Sequence, residues 1–229
     1  IPILQIPSID ELLMQKKNID TLQPVPIEDL LGREITPQES KLINKNITNS
    51  SIFISGAGGS IGSELCRQVK SLNPLKIILF EISEINLYKI NAEIKANLSK
   101  DIELISILGN AQNEKHLNAI FAKHNVDVVF HAAAYKHVPI VENNVIEGIK
   151  NNVFTTKSIC NAVLKNKVKN FVLISTDKAV RPTNVMGASK RVSELIVKYF
   201  ARRANDSSAK SIFSVVRFGN VLDLSLIHI

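Results

Sequence analysis

Ser55-Gly56-Ala57-Gly58-Gly59-Ser60-Ile61-Gly62 stands between a short apolar run, Ile52–Ser55, and an amphipathic stretch, Ile61–Leu72. Glycines at 56, 59 and 62 spell G-x-x-G-x-x-G, a cousin of the G-x-G-x-x-G pattern of phosphate-binding strand–turn–helix units. In such a unit Gly56 permits the tight turn, Gly59 lets backbone approach a pyrophosphate, and Gly62 lets helix and strand pack closely. The helix N-terminus behind the turn offers unpaired N–H groups and the positive end of a dipole to an anion. Gly56, Gly58, Gly59, Ser60, Ile61 and Gly62 are therefore the expected phosphate contacts of a dinucleotide. A glycine turn alone is only a turn; here its context adds weight. Glu81 ends the next strand candidate, roughly 20 residues past the last glycine, where an acidic side chain accepts from ribose hydroxyls. A carboxylate there repels a 2′-phosphate, so NAD is expected over NADP. A solvated acid at a strand end is the plainer alternative for Glu81.

Outward from this turn the chain alternates apolar runs with amphipathic stretches. Strands are predicted at Ile52–Ser55, Lys76–Phe80, Glu103–Leu108, Val126–His131, Asn170–Ser175 and Ser211–Phe218. Helices are predicted at Ile61–Leu72, Glu84–Leu98, Asn113–His124, Val141–Asn166 and Val185–Arg203. Apolar runs without polar alternation suit strands buried on both faces. Their alternation with helices implies an α/β fold, a doubly wound parallel sheet with helices on both sides. Residues 1–48 differ: Pro2, Pro7, Pro24, Pro26 and Pro37 punctuate short helical pieces such as Ile9–Lys16 and Ile27–Leu31, and no strand pattern emerges. The division read from this is an arm or connector over 1–48, a dinucleotide-binding domain over 49–222 and an anomalous tail over 223–229.

Composition narrows the function. The chain is 45% hydrophobic and 21% charged, ordinary for a globular protein with a sizeable core. No apolar run approaches the ~20 residues that span a bilayer. The start is neither Met nor a signal-peptide pattern, so the chain reads as soluble and as a piece of something longer. The formal charge is +7, but the basic groups are short (Lys16-Lys17, Lys165/Lys167/Lys169, Arg202-Arg203) and not interleaved with aromatics. No nucleic-acid partner is expected. Cys66 and Cys160 have no metal-ligand spacing and read as buried thiols in a reducing, cytoplasmic setting. No metal is expected.

Three clusters fall at the C-terminal ends of later strands, the edge where doubly wound sheets bind ligands. His131-Ala132-Ala133-Ala134-Tyr135-Lys136-His137-Val138-Pro139 closes the fourth strand. Ala132, Ala133 and Ala134 let the chain pass close to a cofactor, and Lys136 and His137 are candidate substrate contacts. His131 taken singly reads as a structural, hydrogen-bonded residue. Ser175-Thr176-Asp177-Lys178 closes the fifth strand, an acid beside a base that can work as a general acid/base pair. An exposed ion pair at a loop start is the plainer alternative. Met186-Gly187-Ala188-Ser189-Lys190 opens a helix, with Met186 and Lys190 at i and i+4 on one face. Short-chain dehydrogenases carry Tyr-x-x-x-Lys at this spacing, with Tyr as the base for alcohol oxidation. Methionine takes no proton.

With these residues assembled, the chain resembles the extended short-chain dehydrogenases, a Rossmann-type fold. It is most similar there to the long, membrane-anchored UDP-N-acetylglucosamine 4,6-dehydratases of bacterial glycan synthesis, including the enzyme that begins bacillosamine formation. The stretches that carry the resemblance are Pro26–Glu34, the Gly56 loop, His131–Pro139, Ser175–Val180, Asn184–Arg191 and Val216–Leu222.

The resemblance implies a lyase with a self-contained redox cycle on a UDP-sugar. Hydride leaves sugar carbon 4 for NAD, water is lost across carbons 5 and 6, and the hydride returns at carbon 6. It implies Asp177 as the acid for the departing hydroxyl, Lys178 as the base for carbon 5, and Thr176 as the holder of the carbon 4 hydroxyl. Lys190 would bind the nicotinamide ribose and lower local proton affinities. Met186, at the tyrosine-equivalent position, leaves the carbon 4 base to a water relayed by Thr176 or Asp177. Asn110 replaces the family's usual Asp beside adenine, with Ala111 next to it, and Asn220 falls in the substrate region. The parent is expected to be a homo-oligomer anchored to the inner membrane, this part facing the cytoplasm without touching lipid itself. The uridine-binding substrate domain that the family places after Leu222 is missing, and the fragment alone is expected to be inactive. Two alternatives share the cofactor half: a nucleotide-sugar epimerase or reductase, which needs Tyr at 186, and a non-catalytic dinucleotide-binding module.

Overall fold

The computed structural model describes residues 4–5, 23–24, 40–206 and 210–219. The chain divides into two units, Ile1–Ser40 and Lys41–Ile229. In the first, β1 (Leu4–Gln5) and β2 (Gln23–Pro24) pair antiparallel. The sequence reading placed no strand there, because two-residue strands are too short to show alternation. The helical pieces expected at Ile9–Lys16 and Ile27–Leu31 lie outside the described residues, as do Asn220 and the tail over 223–229.

The second unit is built on a six-stranded sheet. After α1 (Ser40–Ile47), its elements run β3 (Ser51–Ser55), α2 (Ser60–Lys70), β4 (Lys76–Glu81), α3 (Glu84–Ala96), β5 (Glu103–Leu108) and α4 (Glu114–His124). They continue with β6 (Val128–His131), α5 (Val138–Asn143), α6 (Val145–Ile149), a π-helical turn (Lys150–Phe154) and α7 (Thr155–Lys165). Last come β7 (Asn170–Thr176), a 3-10 turn (Asp177–Ala179), α8 (Val185–Asn205) and β8 (Ile212–Phe218). Every pairing in the sheet is parallel, and the strand order is β5-β4-β3-β6-β7-β8. This is the 3-2-1-4-5-6 order of a doubly wound sheet, whose ligand crevice opens at the carboxyl ends of the strands where winding reverses. Here that point lies between β3 and β6.

Alternation along β3 shows how both faces are covered. Phe53 belongs to one core with Ile78 and Phe80 of β4, Leu117 and Phe121 of α4, Ile159 and Val163 of α7, and Val197 and Phe200 of α8. Its ring meets Phe121 edge to face with centroids 4.9 Å apart. Ile52 and Ile54 face the other way, into a core with Ile47 of α1, Cys66 and Val69 of α2, and Leu87, Ile90 and Ile94 of α3. Side chains alternate across a strand, so this strand is buried on both sides. Both cysteines are buried and unpaired, and burial pushes the Cys66 thiol up to about 12.

Three expectations need correction. Burial on both faces holds for β3 and β4 but not for the edge strands β5 and β8, whose residues are mostly half-buried or exposed. An apolar run does not say whether its strand lies at the centre or the rim. The strand expected from Val126 starts at Val128, since Asn125 takes a left-handed conformation (φ 48°) and the Val126 N–H closes back on Phe121 O of α4. The helix expected over Val141–Asn166 is broken into α5, α6, the π-helical turn and α7. Asn144, at φ −135° and ψ 53°, interrupts it, and the break shapes the site.

Candidate active site

The glycine turn has the expected form. Gly56 has φ +68°, a conformation that L side chains rarely adopt, and a Cβ there would stand 2.7 Å from Ala133 Cα. At Gly62 a Cβ would overlap Gly56 O, so the first turn of α2 lies directly on the loop. Gly59 caps α2 without a side-chain hydrogen bond, leaving the first-turn N–H groups of the helix open to an anion. Glu81, at the end of β4, is buried. Its Oε2 accepts from Gly58 N at 3.0 Å, and its Oε1 accepts from Ile82 N and Ser83 N at 3.0 and 3.2 Å. The carboxyl thus staples the loop to the strand end before any ribose arrives.

This second task for Glu81 has a measurable consequence. Replacing Glu81 by Ala leaves three part-buried N–H groups without this acceptor, at a cost of about 1 kcal/mol. Thermal unfolding of the cofactor-free chain should shift down by about 2–4 °C per kcal/mol. An unchanged melting temperature in the cofactor-free chain would leave Glu81 no role but the ribose.

A cavity of about 550 Å³ begins at Gly59, Ser60, Ile61 and Gly62, within the size range of small-molecule sites. It continues along Ala132, Ala134, Tyr135, Lys136 and His137, and its far wall is made by Ile140, Val141, Asn144, Glu147 and Gly148 of α5 and α6. Gly59, Ser60, Ile61 and Gly62 of the expected phosphate contacts thus share one space with Lys136 and His137, while Gly56 and Gly58 lie outside its lining. The wall was not foreseen, because it exists only through the break at Asn144. Ala133 packs on Gly56 instead. Asn110 is exposed after β5 with its Oδ1 taken by Gln112 N at 2.8 Å, and Ala111 turns its methyl into the core.

Beneath the cavity His131 is fully enclosed, its Nδ1 2.8 Å from Ser55 Oγ and its Nε2 3.1 Å from Thr156 Oγ1. Thr156 gives its own proton to Asn152 O at 2.7 Å. Its oxygen therefore accepts from Nε2–H, and Nδ1 accepts from Ser55. Burial, together with the nearby Lys190 charge, pushes the imidazole down to about 3. His131 is thus a neutral structural link between β3, β6 and the start of α7, in line with the reading of it as hydrogen-bonded architecture.

Asn152, which no sequence pattern pointed to, sits buried in that turn. Its Oδ1 accepts from Tyr135 N at 2.8 Å, and its Nδ2 donates to Tyr135 O at 3.1 Å and to Ser189 Oγ at 2.9 Å. It clamps the cavity lining to α8. A π-helical turn is itself a frequent mark of a functional site.

The acid–base candidates lie at the same sheet edge but outside the cavity lining. Asp177 and Lys178 are exposed in the 3-10 turn after β7, with Lys178 Nζ 3.7 Å from Asp177 Oδ1. Thr176 Oγ1 donates to Asp177 Oδ1 at 2.9 Å. That bond, with the Lys178 charge, holds the Asp177 carboxyl below its ordinary range. Met186 is buried at the head of α8. Lys190 is buried too, its Nζ donating to Ile174 O of β7 at 2.7 Å. Burial pushes its ammonium down to about 8, against the opposing pull of Glu194.

Glu194, one turn further along α8, is a second residue the sequence did not single out. It accepts from Ser175 Oγ at 2.8 Å, from Arg191 Nη1 at 2.9 Å, and from Arg217 Nε and Nη2 at 2.8 and 2.6 Å. The Arg217 fork, chiefly, brings its carboxyl down to about 2. It ties α8 to the ends of β7 and β8. Among the described residues no group of three or more His, Cys, Asp or Glu could hold a metal ion. No described helix is long and apolar enough to cross a membrane.

The chain is similar to proteins whose names concern nucleotide sugars and polysaccharides. It is 40% identical over 222 residues to the capsular polysaccharide biosynthesis protein CapD of Staphylococcus aureus, covering 97% of this chain and 36% of CapD. It is 34% identical over 173 residues to the inverting UDP-N-acetylglucosamine 4,6-dehydratase of Campylobacter jejuni strain 81-176, covering 75% of this chain and 49% of that one. It is 36% identical over 179 residues to the UDP-glucose 4-epimerase of Rickettsia canadensis, covering 76% and 50% respectively. The chain thus spans from about a third to half the length of these relatives. Residues 52–225, from the first sheet strand past β8, match the sequence profile described as polysaccharide biosynthesis protein, and on that match the chain belongs to this family.

Proposed function

We propose that this chain is the cofactor-binding part of an NAD-dependent lyase. The enzyme would convert a UDP-N-acetylhexosamine, UDP-N-acetylglucosamine, to its 4-keto-6-deoxy derivative for bacterial glycan synthesis. One observation carries the reading: a single cavity joins the glycine turn to Tyr135, Lys136 and His137 at the sheet edge where Asp177 and Lys178 also stand. The residues present fit a dinucleotide. Among the described residues beyond its chain neighbours, Gly59 has just Gly56 O within 4 Å of where a Cβ would be, at 3.3 Å, and the N-terminus of α2 behind it has no side-chain cap. Gly56, Gly58, Gly59, Ser60, Ile61 and Gly62 would hold the phosphates, Glu81, Asn110 and Ala111 the adenosine side, and Ala132, Ala133, Ala134 and Lys190 the nicotinamide side. NAD, when bound, supplies reversible hydride acceptance.

The chain's own residues would then manage protons. Thr176 orients the carbon 4 hydroxyl. Lys178 takes the proton from carbon 5, which a neighbouring ketone acidifies, and Asp177 gives a proton to the hydroxyl leaving carbon 6. Asp177 is ionised in the open site, so closure over the sugar must first raise its proton affinity by excluding water. Lys136, His137 and Asn220 contact the substrate. Met186 has no proton to exchange, and a water held by Thr176 or Asp177 serves carbon 4.

The 36% identity to a 4-epimerase favours a second reading, an epimerase on the same class of substrate. Met186 weighs on both readings, since both oxidise carbon 4; what favours the dehydratase is the Asp177-Lys178 pair after β7, for which an epimerase has no use. We further propose that residues 1–48 form a connector and 49–222 the domain. The parent would be anchored at the inner membrane with this part on the cytoplasmic side. Val192, Leu195 and Tyr199, exposed along α8, support a homo-oligomeric parent. The deciding experiment incubates the full-length protein with UDP-N-acetylglucosamine and follows the sugar nucleotide by mass spectrometry. The expected product is lighter by one water, with no net NADH. A product of unchanged mass with inverted carbon 4 would select the epimerase, and no product at all would leave a binding module.

A further inference from the structure

The far wall of the cavity is a small unit of its own. Val141 of α5 presses on α6 so closely that a Cβ on Gly148 would stand 2.7 Å from Val141 Cγ1. Asn144 Nδ2 donates to Ile140 O at 2.9 Å across the break between the two helices. From this wall a side chain reaches out: Glu142 Oε1 accepts from Val185 N at 2.6 Å. Val185 is the first residue of α8, and its N–H is one of those a helix leaves without an internal partner. Another, that of Gly187, goes to Asn184 Oδ1 at 2.7 Å.

The head of α8 is crowded from the opposite side as well. A Cβ on Gly187 would overlap Lys178 O, so the helix start rests directly on the 3-10 turn. Between these two contacts sits Met186, with Lys190 one turn along. Glu142 thus links the cavity wall to the head of α8, and Gly187 links that head to the backbone of Lys178.

We propose that Glu142 is a positioning residue that couples the cavity wall to the head of α8. A sugar nucleotide filling the cavity would thereby set the placement of Met186, Lys190 and the Asp177-Lys178 turn. The identity of the ligand rests on the dehydratase reading; the coupling rests on the contacts alone. Glu142 is exposed, and its side chain crosses no core, so its replacement tests position and not folding.

Three variants of the full-length protein separate the possibilities: Glu142→Ala, Glu142→Gln and Val185→Pro. The proline removes the donor at a helix position that tolerates it. Asn184 before it, at φ −145° and ψ 161°, already has the extended backbone that proline demands of its neighbour. Amide hydrogen exchange over residues 187–190 is measured with and without NAD and UDP-N-acetylglucosamine, alongside turnover and melting temperature. In the unmodified protein the ligands should slow exchange about tenfold, a typical coupling between sites. Glu142→Ala and Val185→Pro should abolish most of that protection and lower kcat about tenfold while KM for the sugar nucleotide stays within about twofold. Glu142→Gln, whose amide oxygen still accepts, should restore both, and the double variant should be no worse than either single one. Full ligand protection in Glu142→Ala, additive losses in the double variant, or no slowing of exchange in unmodified protein shown by calorimetry to be saturated with both ligands would each overturn the coupling. Protection without any dehydrated product would leave the coupling standing and remove the dehydratase reading.

Discussion

On the proposed dehydratase reading, Asp177→Asn in the full-length protein should lower turnover of UDP-N-acetylglucosamine about 10²–10⁴-fold, the range a positioned general acid supplies, and leave NAD affinity unchanged. The asymmetry follows from where the residue stands. Asp177 is exposed beyond the end of β7, its carboxyl bonded to Thr176 and beside the Lys178 ammonium. It lies outside the lining of the cavity that begins at the glycine turn. Asparagine keeps the shape and an acceptor oxygen for Thr176 but has no proton to give a leaving hydroxyl. The melting temperature should barely move, since an exposed pair contributes little to stability. Turnover with the sugar nucleotide, and NAD titration by calorimetry, check the two halves separately. A variant as fast as the parent would remove Asp177 from the chemistry. Equal losses in turnover and NAD binding would place it in the cofactor site.

Gly62→Ala should abolish NAD binding within reach of calorimetry and destabilise the chain by about 1–3 kcal/mol, the cost of forcing atoms into filled space. The methyl would overlap Gly56 O, and that carbonyl cannot easily yield. Gly56 is held at φ +68° with Ala133 against its other side, and its N–H bonds to Phe80 O at 2.9 Å. Helix α2 must therefore move away from β3, taking its open N–H groups off the phosphates. Gly59→Ala is the control: only Gly56 O, at 3.3 Å, stands near its methyl. It should weaken NAD with little effect on melting. If both variants melt alike and bind alike, the close contact at Gly62 has no special role in holding the loop.

Much of the fold was legible along the chain. Periodicity locates the helices and strands of the sheet domain apart from α1, which it left inside the arm, and the broken segment from Val138 to Phe154, and strand–helix alternation predicts a parallel sheet. The glycine spacing and Glu81 mark the proposed cofactor site because the features that suggest it are local: a turn, a helix end and a strand end lie within one βαβ unit. His131 read as architecture for the same reason, since a histidine inside an apolar run has neighbours that leave it neutral.

What the chain order could not disclose are contacts between segments far apart in sequence. Glu81 stapling Gly58, Asn152 gripping Tyr135 and Ser189, Glu194 holding Arg217, and Glu142 meeting Val185 all join residues on different elements. A side chain's hydrogen-bond partner depends on which elements pack together, and hydrophobic periodicity carries no trace of it. The same holds for the cavity. Its near side follows from the glycine turn, but its far wall exists because Asn144 leaves helical geometry and α5 folds back against α6. Local sequence determined the sheet and the cofactor turn, since hydrogen bonding and burial within each βαβ unit leave few alternatives. Tertiary packing alone decided the shape of the cavity, which side chains brace it and which protons they hold, because burial and facing charges are properties of neighbours in space.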